Sequence, residues 1–323
     1  MALYLVTGGA GFIGSHLVHA LVARGDRVRV LDDLSTGRLE NLSELETSET
    51  AGAAPVQVMR GSITNPLHCK RACEGVLGVF HEAAQVSVPK SIEAPVDSYE
   101  INVMGTLRVL EAARVQGVKR VVFAASSAAY GNTATLPKIE SMPPEPLSPY
   151  ASGKLAGEAL LRVYGHAYGM NTVSLRYFNV FGPRQLDDSP YTGVIAIFAR
   201  ALLDNRAPTI YGDGEQTRDL TYIDNVVSAN LLAMESDLPP GSVINVGGGE
   251  RITINELYRT MAGLLGSKLA ARHAPARAGD VLHSLASIER ARELLGYSPS
   301  VSWRDGLAQT VAWYRSRAAV ASR

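Results

Sequence analysis

The segment Thr7-Gly8-Gly9-Ala10-Gly11-Phe12-Ile13-Gly14 narrows the folds open to this chain more than any other. An apolar run, Leu3 to Val6, precedes it and reads as a strand. Ile13, Leu17, Ala20 and Leu21 follow at helical spacing and predict a helix over 13–23. Gly9, Gly11 and Gly14 satisfy G-x-G-x-x-G, and Gly8, Gly11 and Gly14 satisfy G-x-x-G-x-x-G. Such a turn needs positive φ, a backbone that can approach a pyrophosphate, and a helix packed closely on its strand. The helix start then turns free N–H groups and a partial positive charge toward an anion. Asp32, at the end of a second strand over 28–31, is placed to bind ribose hydroxyls of NAD and to repel a 2′-phosphate. Arg38 downstream leaves NADP open, and a purely structural strand-to-helix turn is the bland alternative.

The rhythm continues. Strands are predicted at 56–59, 79–81, 120–124 and 172–176, and helices over 99–116 and 150–168. Strand–helix alternation with continuous apolar runs predicts a doubly wound parallel sheet of the α/β class. Pro143-Pro144-Glu145-Pro146 must be a loop. From about residue 180 the segments become less regular, with Gly-rich turns at Gly212-Asp213-Gly214 and Gly247-Gly248-Gly249. At about 150 residues per domain, 323 residues suggest two regions. These are 1–179, a dinucleotide-binding domain to which part of 225–250 returns, and 180–323, a smaller substrate-binding domain. Arg317 to Arg323 reads as a frayed tail.

Hydrophobic residues at 46% allow a sizeable core, and 31 basic against 31 acidic residues leave no net charge. That gives no bulk attraction to nucleic acid or to an anionic membrane. No apolar run reaches the ~18 residues of a membrane span, and no secretory leader is seen. Cys69 and Cys73, four apart on one helix, make neither a disulfide scaffold nor a metal site, so no metal is expected and a reducing cytoplasm fits.

Tyr150 and Lys154 stand at i and i+4, on one face of a helix. A neighbouring ammonium, together with an oxidised nicotinamide, would favour phenolate and make Tyr150 a proton carrier for an alcohol. Without the glycine turn the pair would be an ordinary helix-start aromatic and a solvated charge. Ser126 and Ser127 follow the strand at 120–124, at the sheet end where such folds bind ligands.

Together these residues resemble the extended short-chain dehydrogenase/reductase family, and within it the nucleotide-sugar 4-epimerases. The resemblance spans nearly the whole chain. It includes His81-Glu82-Ala83-Ala84, Asn102, Leu175-Arg176-Tyr177-Phe178-Asn179-Val180-Phe181-Gly182-Pro183, Thr217-Arg218-Asp219 and Arg277-Ala278-Gly279-Asp280. It implies that Gly8, Gly11, Phe12, Ile13, Gly14, Asp32, Ala83 and Asn102 hold NAD. Ser126 would bind the sugar O4, Tyr150 would be the acid/base and Lys154 would hold the nicotinamide ribose. Ser87, Ser127, Asn179 and Ser284 would line the sugar side; Arg218, Arg277 and Asp280 would hold the UDP. C4 would be oxidised to a ketone, the sugar would turn, and reduction on its other face would give the epimer. Arg218-Asp219 and Arg277-Asp280 could instead be structural pairs.

The absence of a carboxylate in Ser126-Ser127-Ala128 disfavours dehydratase and decarboxylase relatives, and Asn179 in place of Thr lowers a UDP-glucuronate epimerase. Ser284, small where some relatives carry Tyr, favours N-acetylated sugars. Two positions depart from the family: Ser62 stands where an Asp usually meets adenine, and Val86 where a Gly borders the sugar. A dehydrogenase/reductase that exchanges free NAD(H), or a non-catalytic NAD sensor, remains as an alternative of another class. The resemblance also implies a homodimer through the helices at 99–116 and 150–168.

Overall fold

The computed structural model describes residues 1–185, 193–276 and 282–321. Its centre is an eight-stranded sheet in the spatial order Ser242–Val246, Asn171–Tyr177, Arg120–Ser126, Gly78–His81, Leu3–Thr7, Arg27–Asp32, Val56–Arg60 and Thr47–Ser48. Every neighbouring pair is parallel. Winding reverses between Leu3–Thr7 and Gly78–His81. The crevice beyond the carboxyl ends of those two strands is therefore the switch point at which such sheets bind ligands.

The strands alternate between two cores. Tyr4, Val6, Val28, Val30 and Val122 face one side, with Leu17 and Leu21 of the helix Phe12–Ala23 and Ile223 and Val226 of the helix Ile223–Glu235. Leu5, Leu31, Val121 and Phe123 face the other, with residues of the helices Pro66–Cys73, Thr106–Val115 and Pro149–Tyr168. Fully burying one such aliphatic side chain contributes about 1.5–3 kcal/mol, so the two faces together fix the register. Tyr297 and Trp303 lie in the first of these cores.

The long helix expected at 99–116 is corrected. It is Pro95–Tyr99, a π-helical turn at Glu100–Gly105, and Thr106–Val115. Pro95 sets the start, and the wider turn rotates Asn102 toward the nucleotide loop. The tail expected over Arg317 to Arg323 is helical as far as Ala321, in the helix Trp303–Ala321, and its last two residues lie outside the described ones. The strand Ser242–Val246 extends the sheet at the edge of Asn171–Tyr177. No described helix is long and apolar enough to cross a membrane.

Candidate active site

The glycine turn is built by contact. Gly8 has φ +68, and a Cβ there would lie 2.8 Å from the Ala83 nitrogen. A Cβ on Gly14 would lie 2.1 Å from the Gly8 carbonyl oxygen, whereas one on Gly11 would meet only that oxygen, at 3.1 Å. No side chain caps the helix that starts at Phe12, so its first N–H groups face outward for an external acceptor. The Asp32 carboxylate accepts the Ala10 N–H at 2.9 Å and the Leu34 N–H at 2.8 Å. It thus ties the glycine turn to the second strand. Its oxygens keep lone pairs for further donors, such as ribose hydroxyls. Burial, the largest influence, raises its pKa against those two bonds. An open helix start, room at Gly11 and a carboxylate at the next strand end fit a dinucleotide.

A directed chain of hydrogen bonds joins this turn to the other side of the crevice. The Ala83 N–H donates to Thr7 Oγ1 at 3.2 Å, and Thr7 donates to His81 Nδ1 at 2.7 Å. His81 Nε2–H then donates to Thr106 Oγ1 at 3.0 Å, and Thr106 donates to the Asn102 carbonyl at 2.8 Å. Only the neutral Nε2–H tautomer satisfies every link. Burial, aided by the charge of Lys154, pushes the His81 pKa down to about 3. The Asn102 side chain closes the frame, accepting the Gln85 N–H at 2.9 Å and donating to the Gln85 carbonyl at 3.0 Å. Asn102 and Ala83 thus hold the loop that borders the crevice. Ser87 is the N-cap of the helix Val88–Glu93, accepting the Lys90 N–H at 3.2 Å.

Ser126, Tyr150 and Lys154 come together over the carboxyl end of the central strands. Ser148 caps the helix Pro149–Tyr168, and the Tyr150 N–H donates to Ser91 Oγ at 3.1 Å. Gly153 and Gly157 let this helix lie close. A Cβ on Gly153 would touch Asn102 Cβ at 3.1 Å, and one on Gly157 would enter the Phe123 ring at 2.5 Å. The Ser126 hydroxyl accepts the Ala128 N–H at 3.2 Å and lies near enough to the Tyr150 phenol to favour its ionised form. Ser127 opens the short 3₁₀ turn Ser127–Tyr130. Lys154, buried, donates from Nζ to the Ala124 carbonyl at 2.7 Å.

Burial raises the Tyr150 pKa, opposed by Ser126. The Lys154 ammonium turns to the Ala124 carbonyl, and the charge of Glu82 favours its protonated form. Burial lowers the Lys154 pKa to about 8 against that pull. Without added positive charge, then, Tyr150 rests as the neutral phenol.

Asn179 is the joint to the second half of the chain. It holds φ +29, a strained value for a non-glycine residue. Its Nδ2 donates to the Asp219 carbonyl at 2.8 Å and to Ser284 Oγ at 3.1 Å. Asn179 and Arg218 line a cleft of about 1200 Å³ with Phe181, Tyr211, Gln216 and Arg272. The Arg218 guanidinium donates to the Thr217 and Leu282 carbonyls at 3.0 and 3.3 Å, which fixes its direction. Arg277 and Asp280 lie outside the described residues.

Several participants escaped the sequence reading. The Asp219 carboxylate accepts N–H bonds from Gly248, Ala286 and Gly249 at 2.7, 2.9 and 3.3 Å. It thereby ties two segments, at Gly248-Gly249 and at Ala286, to the residue next to Arg218. Glu82, Tyr177 and Asn230 form one hydrogen-bonded cluster. Glu82 and Tyr177 lie in segments that carry the resemblance, but no role was read for them there. Among the described residues, no group of three or more His, Cys, Asp or Glu is placed to hold a metal ion.

A dinucleotide cradle at the switch point, beside a serine–tyrosine pair and a buried lysine, defines an enzyme of the short-chain dehydrogenase type. The chain belongs to the NAD dependent epimerase/dehydratase family, whose profile matches residues 4–247. NAD is accordingly its cofactor. It is 40% identical to the UDP-glucose 4-epimerase of Mycolicibacterium smegmatis, over 97% of this chain and 98% of that protein. Two solved structures superpose on it with a TM-score of 0.91. One is a UDP-N-acetylglucosamine 4-epimerase from Methanobrevibacter ruminantium in complex with UDP-N-acetylmuramic acid, 36% identical over 98% of this chain and 99% of that one. The other is a Thermotoga maritima UDP-glucose 4-epimerase with UDP-glucose, 38% identical with the same coverage.

Proposed function

We propose that this enzyme epimerises a UDP-hexose at C4 and takes the N-acetylated sugar as well as the plain one. The observation that carries the reading is the buried Lys154 one helical turn beyond Tyr150, with Ser126 beside that phenol at the carboxyl end of the strand Arg120–Ser126. The likeness to three UDP-sugar epimerases supports the choice of reaction.

NAD, when bound, would supply a two-electron hydride acceptor and donor for the sugar C4. Tyr150 takes the O4 proton and returns it after the 4-keto sugar has turned over. Ser126 holds O4 beside that phenol, so one hydroxyl orients both partners. Tyr150 needs added positive charge to ionise, and Lys154 cannot supply it alone. Deprotonation is thereby confined to the loaded site, where the nicotinamide is cationic. Gly8, Gly11, Phe12, Ile13, Gly14 and Asp32 hold the dinucleotide. Ala83 and Asn102 frame its nicotinamide side, and Lys154 holds the ribose there. Arg218, Arg277 and Asp280 retain the UDP while the sugar rotates. Guanidinium forks suit a diphosphate.

Ser87, Ser127, Asn179 and Ser284 border the sugar. Ser284 is short and drawn back onto Asn179, which favours room for an N-acetyl group. In this reading residues up to 179 carry the cofactor and later ones the nucleotide sugar. Exposed Val96, Met104, Val163 and Tyr168 form the face by which two copies pair. Free, buried Cys69 and Cys73 agree with a reducing cytoplasm.

The test is incubation of the protein with UDP-N-acetylglucosamine, UDP-glucose and UDP-glucuronate in separate tubes, followed by proton NMR of the sugar. C4 epimers are expected with the first two and no net NADH. Net NADH formation, or no epimer in any tube with NAD present, overturns the reading. Tyr150→Phe should lose about a hundredfold or more in turnover while retaining NAD.

A further inference from the structure

The turn Gly247-Gly248-Gly249 follows the edge strand Ser242–Val246, and no step of the reaction above uses it. It closes on a carboxylate. Asp219, fully buried, accepts the Gly248 N–H on Oδ1 at 2.7 Å. Its Oδ2 accepts the Ala286 N–H at 2.9 Å and the Gly249 N–H at 3.3 Å. Only glycine lets the backbone come so near. A Cβ on Gly247 would lie 2.9 Å from Oδ2 and 2.6 Å from the Ala286 Cβ, and one on Gly248 would lie 3.2 Å from Oδ1. Burial raises the Asp219 carboxyl to about 6 against these three bonds, which leaves it ionised at neutral pH.

The backbone of the same residue serves the cleft. The Asp219 carbonyl accepts Asn179 Nδ2 at 2.8 Å, and its N–H donates to Ser284 Oγ at 3.2 Å. Residues 282–286 run beside 217–219. The Thr217 N–H donates to the Leu282 carbonyl at 2.9 Å, and the Ser284 N–H to the Thr217 carbonyl at 3.1 Å. The Leu282 carbonyl also accepts the Arg218 guanidinium. One end of this segment therefore aims Arg218, and the other is moored to the Asp219 carboxylate through Ala286. The moored end also meets the loop that leads to Tyr150. There the Lys138 N–H donates to the Leu285 carbonyl at 2.7 Å, and the Ser287 N–H to the Lys138 carbonyl at 2.9 Å. Asn179 keeps a φ of +29 only while its surroundings hold it, and both of its side-chain partners, the Asp219 carbonyl and Ser284, belong to this joint.

We propose that Asp219 is a positioning residue for the nucleotide sugar: its carboxylate, seated in the glycine turn, fixes the segments that aim Arg218 at the diphosphate and hold Asn179 in its strained conformation. Asp219 acts through these neighbours, because it is buried and its oxygens face backbone N–H groups. Asparagine at this position keeps the shape but turns an NH2 group toward at least one of those donors, which then loses its acceptor away from water. The turn and residues 282–286 part, and Arg218 loses its aim. The cofactor is held from other elements, by the glycine turn at 8–14 and Asp32, so its retention is untouched.

The inference rests on the UDP-binding role given above to Arg218, and its test fails separately from the epimerase reading. NAD-loaded wild-type protein and Asp219→Asn are titrated by calorimetry with UDP, and with uridine, which carries no phosphate. Affinity for UDP should fall about tenfold or more, and that for uridine by no more than about twofold. In the epimerase assay KM for UDP-glucose should rise by the same factor, with kcat within about threefold of wild type and acid-released NAD unchanged.

Equal losses for UDP and uridine would mean a general loosening of this half of the chain, and unchanged UDP affinity would mean an idle carboxylate; either result overturns the proposal. If Asp219→Asn does not fold, Gly247→Ala, which wedges Ala286 away from the carboxylate, decides by the same comparison. Wild-type protein that binds UDP but makes no epimer would sink the epimerase reading and leave the inference to the calorimetry. Wild-type protein that does not bind UDP would sink both.

Discussion

Gly14→Ala and Gly11→Ala separate what the glycine turn does for the fold from what it does for the cofactor. An alanine Cβ at 14 would lie 2.1 Å from the Gly8 carbonyl oxygen, 2.8 Å from its carbon and 2.9 Å from the Gly9 Cα. A carbon and a carbonyl oxygen rest at roughly 3.3 Å, and all three obstacles are backbone, so no rotamer relieves them. The helix start must retreat by about 1 Å. Overpacking of this kind costs about 1–3 kcal/mol. At about 2 cal/mol/K per residue, a chain of 323 residues would melt roughly 2–4 °C lower. The N–H groups that face the pyrophosphate retreat as well, and a misplacement of that size is worth about a hundredfold.

At Gly11 the nearest contact is 3.1 Å, so the fold accepts the methyl group with a shift of a few tenths of an ångström. Any loss there reports the space the dinucleotide needs. The assay is NAD released by acid from the purified protein, read beside the melting temperature. Gly14→Ala should lose both. Gly11→Ala should lose NAD at near wild-type melting. A full NAD complement and an unchanged melting temperature in Gly14→Ala would refute the reasoning.

Three further outcomes follow from the packing. Arg176 donates to both oxygens of Glu158, at 2.8 Å each, with both side chains buried. Glu158→Gln strands the guanidinium and should cost about 3–5 kcal/mol in urea unfolding, much of it recovered in Glu158→Gln with Arg176→Met. A cost under about 1 kcal/mol would show the pair to be idle. Burial holds His81 near 3 and His16 near 4, so the native state binds fewer protons than the unfolded chain. Stability is then complete above pH 6.5 and lost as the pH falls toward 4; urea midpoints across that range should drop, and by less in His16→Gln. Val96→Asp with Val163→Asp should leave a monomer by light scattering, and a persisting dimer would move the interface elsewhere on the surface.

The sheet and its first helices were legible because their signals are local. Continuous apolar strands, glycines at fixed offsets and a helix of period 3.6 need no knowledge of the rest of the chain. Tyr150 and Lys154 were legible for the same reason, lying one turn apart. The π turn at Glu100–Gly105 was not, because the added residue leaves the apolar pattern on either side intact. Nor were Glu82, Tyr177 and Asn230, which stand 95 and 53 residues apart along the chain and meet only through the parallel crossovers. The direction of the Lys154 ammonium, drawn to the Ala124 carbonyl, was not legible, because residue spacing gives its distance from Tyr150 and not its aim.

The sheet also constrains how the molecule can be divided. Ser242–Val246 is paired in full register with Asn171–Tyr177 along one edge of the sheet. A polypeptide ending near residue 179 would keep the whole glycine turn, yet it would expose the apolar flank of Asn171–Tyr177 as a ready template for other chains. It would also lack Asn230, and with it the brace on Tyr177. The cofactor-bearing part is therefore not a detachable cassette. Grafting it onto a different sugar-recognition half would have to carry the returning helix and strand along.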